Sequence, residues 1–263
     1  MTDLPTVTAA HHGALSWVDL STPDIEGAVQ FYAQLFGWSL ASSSTPAGEY
    51  HIASIADSDV CGMMAHGDEQ QGMPAMWTVF FTVGDLAATL ASIDDHGGTV
   101  LQPPIEIPGG AHVAVVADPA GAVFAVISGG PHPEGAYLSG SPGAVGWVET
   151  LTRDPLAIVP FYETVFGWHA HSEEVTGYTT FVLVDTQVCG MLPMPAEVPA
   201  EAPSHWATYF TVADCEIVTR RCAELGGQVH RPATSAGGIR FAVLSDPQGA
   251  TFSVIEFGEV PPD

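Results

Sequence analysis

WVDLSTPDIEGAVQFYAQLFGW, Trp17 to Trp38, decides the reading of this chain, because the chain writes it twice. It returns as WVETLTRDPLAIVPFYETVFGW from Trp147 to Trp168. Trp17 and Trp147 stand 130 residues apart, as do Phe31 and Phe161, and Trp38 and Trp168. The stretches that follow also recur. DVCGMM (59–64) answers QVCGML (187–192), WTVFFTVGD (77–85) answers WATYFTVAD (206–214), and VVADPAGAVFAVI (115–127) answers VLSDPQGATFSVI (243–255). The offset drifts only between 128 and 130, so one module has been duplicated with small loop deletions.

Within the first module the pattern reads as two βαβββ units. Ala14–Leu20 alternates like a strand. Thr22-Pro23-Asp24 then opens a helix, with Thr22 as the expected cap and Pro23 at the first helical position. Ile25, Ala28, Phe31, Tyr32 and Leu35 recur at helical spacing and form its core stripe, and Gly37 ends it. Extended segments follow near 39–43, 49–55 and 60–66. The second unit starts with a strand at Trp77–Val83 and a helix at Leu86–Asp95 led by Asp85 and closed by Gly97-Gly98. Strands are expected at 99–104, 111–117 and 122–128, with a turn at Asp118-Pro119-Ala120-Gly121. Gly129–Gly143, rich in Gly, Pro and Ser, joins the copies. The organisation is therefore a first module over 1–130, a linker over 131–143 and a second module over 144–263.

At 263 residues and 46% apolar composition, each copy is long enough to bury a core. Thirty acids face five arginines (153, 220, 221, 231 and 240) and no lysine, for a net charge of −25. That field repels nucleic acid and anionic membranes, so neither is an expected partner. No stretch approaches the ~20 apolar residues of a membrane span. Cys215 and Cys222 lie seven apart on an expected helix, about 10.5 Å along its axis and too far for a disulfide. Cys61 and Cys189, each before a Gly, read as small buried strand residues. Reduced thiols fit a cytoplasmic protein, expected as a monomer or homodimer. His11-His12 reads as ordinary surface, and the FY pairs Phe31/Tyr32 and Phe161/Tyr162 as core.

The βαβββ units, the FY-x(3)-FGW helix ends, the TVxD helix starts and the DPxG hairpins resemble the vicinal oxygen chelate superfamily of glyoxalases, bleomycin resistance proteins and extradiol dioxygenases. The resemblance covers about residues 13 to 257. The paired WV(D/E) and FGW version is similar to a two-module actinobacterial branch often labelled glyoxalase-like or hydroxylase. It implies an α+β fold: tandem modules of paired βαβββ units whose curved mixed sheets form cups. It also implies a divalent metal on the floor of each cup, held by His, Gln or Glu at three positions per module. Counted here, those positions are Trp17, Thr78 and Ala125, then Trp147, Ala207 and Ser253. None carries an imidazole or a carboxylate, and His205 is the nearest stray donor. No metal and no other cofactor is expected.

Strand alternation points to what replaces the metal. If position 17 faces the cup, Asp19 does too, and likewise Trp147 and Glu149. Each cup would then carry an indole able to stack on an aromatic ligand, beside an acid able to accept a proton. Trp17 and Trp147 are candidate ligand contacts, with core packing as the alternative. Asp19 and Glu149 are candidate catalytic acids or bases, with structural hydrogen bonding as theirs. Met63 and Met191, after CG in each copy, could line a cup or fill a core. His112 and Arg240, six residues before the DPxG aspartates, match places where family members touch substrate, with surface placement as the alternative. The expected function is metal-independent binding of a hydrophobic, aromatic, polyketide-like small molecule, in a binding, resistance or accessory tailoring role. The alternatives are an enzyme using Asp19 or Glu149 as acid or base, and a metal-dependent glyoxalase- or dioxygenase-type enzyme.

Overall fold

In the computed structural model, residues 11–45, 48–129, 141–196 and 198–258 are described. The first module runs β1 (Leu15–Thr22), α1 (Ile25–Phe36), β2 (Ser39–Thr45), β3 (Gly48–Ile55), β4 (Ser58–Ala65), β5 (Met76–Thr82), α2 (Leu86–Asp95), β6 (Thr99–Glu106), β7 (His112–Ala117) and β8 (Val123–Ser128). The second runs β9 (Val145–Thr152), α3 (Pro155–Phe166), β10 (His169–Ser172), β11 (Thr179–Leu183), β12 (Thr186–Pro193), β13 (His205–Thr211), α4 (Cys215–Glu224), β14 (Gln228–Ala236), β15 (Ile239–Ser245) and β16 (Thr251–Phe257). Each module contributes one eight-stranded mixed sheet, in the orders β2-β3-β4-β1-β5-β8-β7-β6 and β10-β11-β12-β9-β13-β16-β15-β14. The fold is α+β, as expected. Most of the linker lies outside the described residues.

Among the described residues, all four α-helices start on an aspartate. Asp24, Asp85, Asp154 and Asp214 each accept a hydrogen bond from the backbone N–H three residues on, at 2.9–3.1 Å. Asp24, not Thr22, therefore caps α1. Pro23 precedes the cap, and the Thr22 hydroxyl accepts from the Asp24 N–H instead. Gly37 and Gly167 close α1 and α3 in the left-handed region, at φ 75° and 70°, where a side chain would be strained.

The chain divides into two compact units that do not follow the order of the copies. One combines Trp17–Trp77 with the chain from Ala207 through β16; the other combines the chain from Thr78 through β8 with Val148–Trp206. In the first unit Tyr32 stacks on Trp38 at 5.6 Å and meets Trp77 and Phe252 edge-on. Its hydroxyl donates to Asp246 at 3.1 Å and accepts from the Trp77 indole at 3.1 Å. The second unit repeats the device: Tyr162 stacks on Trp168, donates to Asp118 at 2.9 Å and accepts from Trp206 at 3.2 Å. Both aspartates are the DPxG residues. Each spends its other oxygen on two turn amides, at Ala120 and Ala122 or at Gln248 and Ala250. So the FY aromatics are core, as read from the sequence, and the tyrosines also tie each helix to a hairpin.

His12 departs from its expected role as plain surface. The Gly84 N–H donates to its Nδ1 at 3.2 Å and its Nε2 lies 2.9 Å from the Val165 carbonyl, so the ring bridges two segments of the second unit. Cys61 and Cys189 are buried strand thiols, and Cys215 and Cys222 are buried and unpaired on α4.

Removing the Tyr32 hydroxyl would strand a buried carboxylate and a buried indole N–H together. Tyr32→Phe should cost about 2–3 kcal/mol of stability, the range for a hydrogen bond to a charged group. Tyr162→Phe should behave alike. Urea midpoints measure both, and a loss under ~0.5 kcal/mol in each would refute a structural tie.

Candidate functional site

β1 pairs in parallel with β4, and the register places Asp19 opposite Gly62 and Leu20 opposite Met63. Successive residues alternate faces. Val18, Leu20 and Met63 are fully buried on one face, while Trp17, Asp19 and Gly62 share the other. β3 adds Tyr50 and Ile52 to the Asp19 face, through the pairs Tyr50 with Met64 and Ile52 with Gly62. Trp17, Tyr50, Ile52 and Met64 are half-buried there, and Asp19 is 8% exposed among them.

The three polar groups on this face bond to one another. The Trp17 indole N–H donates to Asp19 Oδ1 at 2.7 Å and the Tyr50 hydroxyl donates to the same oxygen at 2.6 Å. The indole N–H also reaches the Tyr50 oxygen at 2.9 Å. Both donors fall on Oδ1, and Oδ2 accepts no hydrogen bond among the described residues. Burial pushes the Asp19 carboxyl up to about 6, and the bonds from Tyr50 and Trp17 hold the rise back. Burial and the neighbouring carboxylate raise Tyr50 further above its ordinary value, so it stays a neutral donor. Gly62 makes the approach possible, since a Cβ there would overlap both the Tyr50 hydroxyl and Asp19 Oδ1.

Tyr50 was not among the residues singled out from the sequence. It could have been found, because Trp17, Asp19, Tyr50 and Gly62 recur as Trp147, Glu149, Tyr178 and Gly190. In the second copy Gly190 pairs with Glu149, and Glu149 is buried while Trp147 is half-buried. The tyrosine lies twelve residues before the glycine in both copies, and only the β-pairing shows that this spacing brings it back beside the acid.

Four expected ligand contacts fall elsewhere. Met63 lies on the Leu20 face, opposite Asp19, and Met191 pairs with Thr150 and so lies opposite Glu149. Both are core residues; Met64 is the methionine on the Asp19 face. Arg240 sits on the face of β15 opposite Phe241 and Val243, where its guanidinium pairs with Glu216 of α4. His112 is likewise on the opposite face of β7 from Val113 and Val115, exposed at the strand start. An odd number of positions separates each from the strand residues on the expected face, so alternation turns them away.

The metal that the fold family implies does not fit these residues. Trp17 occupies the first ligand position with its only polar atom already donating to Asp19, and an indole N–H has no lone pair for a cation. Ala125 and Ser253 hold the last-strand positions, beside Phe80 and Tyr209. Among the described residues no three His, Cys, Asp or Glu side chains group in a way that could hold a metal ion.

A model of the Glyoxalase/Bleomycin resistance protein/Dioxygenase superfamily matches residues 14–126 and again 144–254. The chain is 39% identical to the anthracycline biosynthesis protein DnrV of Streptomyces peucetius, over 94% of each chain. Its fold is that of the Mn(II)-bound glyoxalase from Novosphingobium aromaticivorans (TM-score 0.62, 17% identity, 94% of this chain and 82% of that one). It is equally that of the 2,3-dioxygenase LapB from Pseudomonas sp. KL28 (TM-score 0.65, 12% identity, 96% and 95%).

A carboxyl whose folded pKa of about 6 exceeds its unfolded value of 3.8 binds a proton in the folded state that the unfolded chain releases. Its stabilising effect is full below pH ~4 and is lost as pH rises through about 6. Asp19→Asn removes that term, so wild type should lose roughly 3 kcal/mol relative to the variant between pH 4 and 7, at ~1.4 kcal/mol per pKa unit. Paired melting curves test this, and a constant difference across the range would show an unperturbed carboxyl. Gly62→Ala should separate Tyr50 from Asp19 and shift the tryptophan emission maximum, whereas Gly84→Ala, in open space and outside the left-handed region, serves as the control.

Proposed function

This chain belongs to the Glyoxalase/Bleomycin resistance protein/Dioxygenase superfamily, and we propose that it binds a hydrophobic aromatic small molecule in its sheet cups without a metal. The observation that carries the reading is the Trp17–Asp19–Tyr50 cluster: a buried carboxylate whose Oδ1 takes two donors and whose Oδ2 has no hydrogen-bond donor among the described residues, framed by half-buried rings. A flat ligand gains stacking on the indole, and a ligand hydroxyl gains an acceptor in Asp19 Oδ2. The relative DnrV is named for anthracycline biosynthesis, which supports a polycyclic, polyketide-like ligand and a binding or accessory tailoring role.

A second reading has its own support. A carboxyl at about 6 is ionised at neutral pH yet basic enough to take a proton, the condition for a general base. Its Oδ2 would accept a proton from a ligand phenol, carbinol or carbon acid. The Tyr50 hydroxyl and Trp17 N–H would keep Oδ1 in place. The equivalent acid in the second copy is Glu149.

9-Anthracenemethanol, neutral throughout, is a suitable probe. Saturable binding is expected by fluorescence titration, unchanged by EDTA and weakened roughly tenfold in Trp17→Ala, a change of ~1.4 kcal/mol. Affinity should rise from pH 5 to 7.5 as Asp19 ionises, and Asp19→Asn should flatten that rise. Binding abolished by EDTA and restored by Mn(II), or no saturable binding, would refute the proposal. For the second reading, deuterium uptake from D2O alpha to the carbonyl of a 1-tetralone probe should increase through about pH 6 and vanish in Asp19→Asn while probe binding persists.

A further inference from the structure

The two copies carry equivalent strands with unlike chemistry. On β13, β15 and β16 the register sets Tyr209 beside Ser253, and Val243 beside Ser253 on the other side, with Phe241 two residues along the same face. Across the β14–β15 pair, Arg231 stands opposite Val243 and so faces the same way. Its guanidinium lies over the Phe241 ring, 5.3 Å from the centroid, and the Tyr209 and Phe241 rings are 6.4 Å apart. The first copy has the same register with Phe80 in the place of Tyr209, Val113 in the place of Phe241, and Gln102 opposite Val115 in the place of Arg231. The two copies therefore share the register and differ at four neighbouring positions on one face, Ala125 standing where the second copy has Ser253. Where the first copy has an amide, an isopropyl group, a plain ring and a methyl, the second has a guanidinium, a ring to carry it, a phenol and a hydroxyl.

Positive charge is scarce in this chain, which makes its placement informative. Of the five arginines, Arg153 donates to the Val198 and Pro199 carbonyls, Arg221 pairs with Glu224 and Arg240 with Glu216. Among the described residues Arg153, Arg220 and Arg231 form no ion pair, and of these Arg231 is the one that rests on an aromatic ring. A guanidinium resting on a ring face is oriented by that ring and keeps its in-plane N–H donors for an anion.

We propose that Arg231, Phe241 and Tyr209 form an anion-recognising subsite on the second sheet, which takes the carboxylate or enolate of an aromatic ligand. The subsite rests on the aromatic-ligand reading above and adds that the two copies differ: the first receives a neutral hydroxyl donor, the second an anionic oxygen. The ligand ring would lie against Phe241 and Tyr209 and its anionic oxygens would meet the guanidinium edge.

Two probes with one frame test it, 9-anthracenecarboxylate and neutral 9-anthracenemethanol, titrated by fluorescence against the full chain. Arg231→Gln, which installs the first copy's residue, should weaken the carboxylate roughly tenfold or more, the effect of one lost charge-assisted hydrogen bond. The same variant should change the alcohol less than about twofold, and Arg220→Gln on exposed helix surface should change neither. Raising the salt concentration should weaken the carboxylate in wild type and not in Arg231→Gln. A carboxylate affinity equal in wild type and Arg231→Gln, or absent while the alcohol binds, would overturn the subsite and leave the aromatic-ligand reading standing. Binding of neither probe would overturn both.

Discussion

A buried tyrosine hydroxyl donating to a turn carboxylate is the interaction on which each unit depends. Tyr32 reaches Asp246 and Tyr162 reaches Asp118, and each carboxylate is also held by its own hairpin amides. A carboxylate almost without exposure is costly unless it is fully hydrogen-bonded. Burial does push both aspartates above the ordinary carboxylate range, and the turn amides and the tyrosine oppose the rise. Each bond joins a helix of one copy to a hairpin of the other. That is why the compact units exchange motifs between the copies.

With that frame set, the faces of the strands follow. One face of β1 fills the core with Val18 and Leu20; the other presents Trp17 and Asp19. Where the fold family implies a cation held by acids and imidazoles, this chain has an indole N–H and a phenol converging on a single carboxylate oxygen. Two hydrogen-bond donors offset part of the cost of burying a negative charge, as a metal would do more strongly. The carboxylate is left basic rather than fully neutralised, with a pKa near the working pH of a proton acceptor. Gly62 is the backbone counterpart of that chemistry, because no other residue admits both partners at van der Waals range of its Cα.

Duplicated modules are free to diverge wherever the core does not constrain them. The aromatic and aspartate ties are the same in both copies, and so is the Trp, acid, Tyr and Gly set on the first strands. The strands that follow the second helix differ, with Gln102 replaced by Arg231 and Val113 by Phe241 on an unchanged register. At these positions the residues differ while the pairing is unchanged, so side-chain chemistry varies on a common backbone register.

Much of this could be read from the residues alone. The 130-residue repeat, the helical stripe from Ala28 to Leu35 and the alternation through Trp17 and Asp19 specify the elements and their order, because helix and strand periods are local properties of the chain. The same alternation paired each indole with its acid. Local periodicity does not reveal which strand lies beside which, so Tyr50, 31 residues from Asp19, entered only through the β3–β4–β1 pairing. Nor does it fix the face of a strand residue counted from a distant landmark: Met63, Met191, His112 and Arg240 all fell on the side away from the candidate site. The choice of partner for Tyr32 lay 214 residues away. Such contacts depend on packing complementarity between remote segments, and only the tertiary structure decides them.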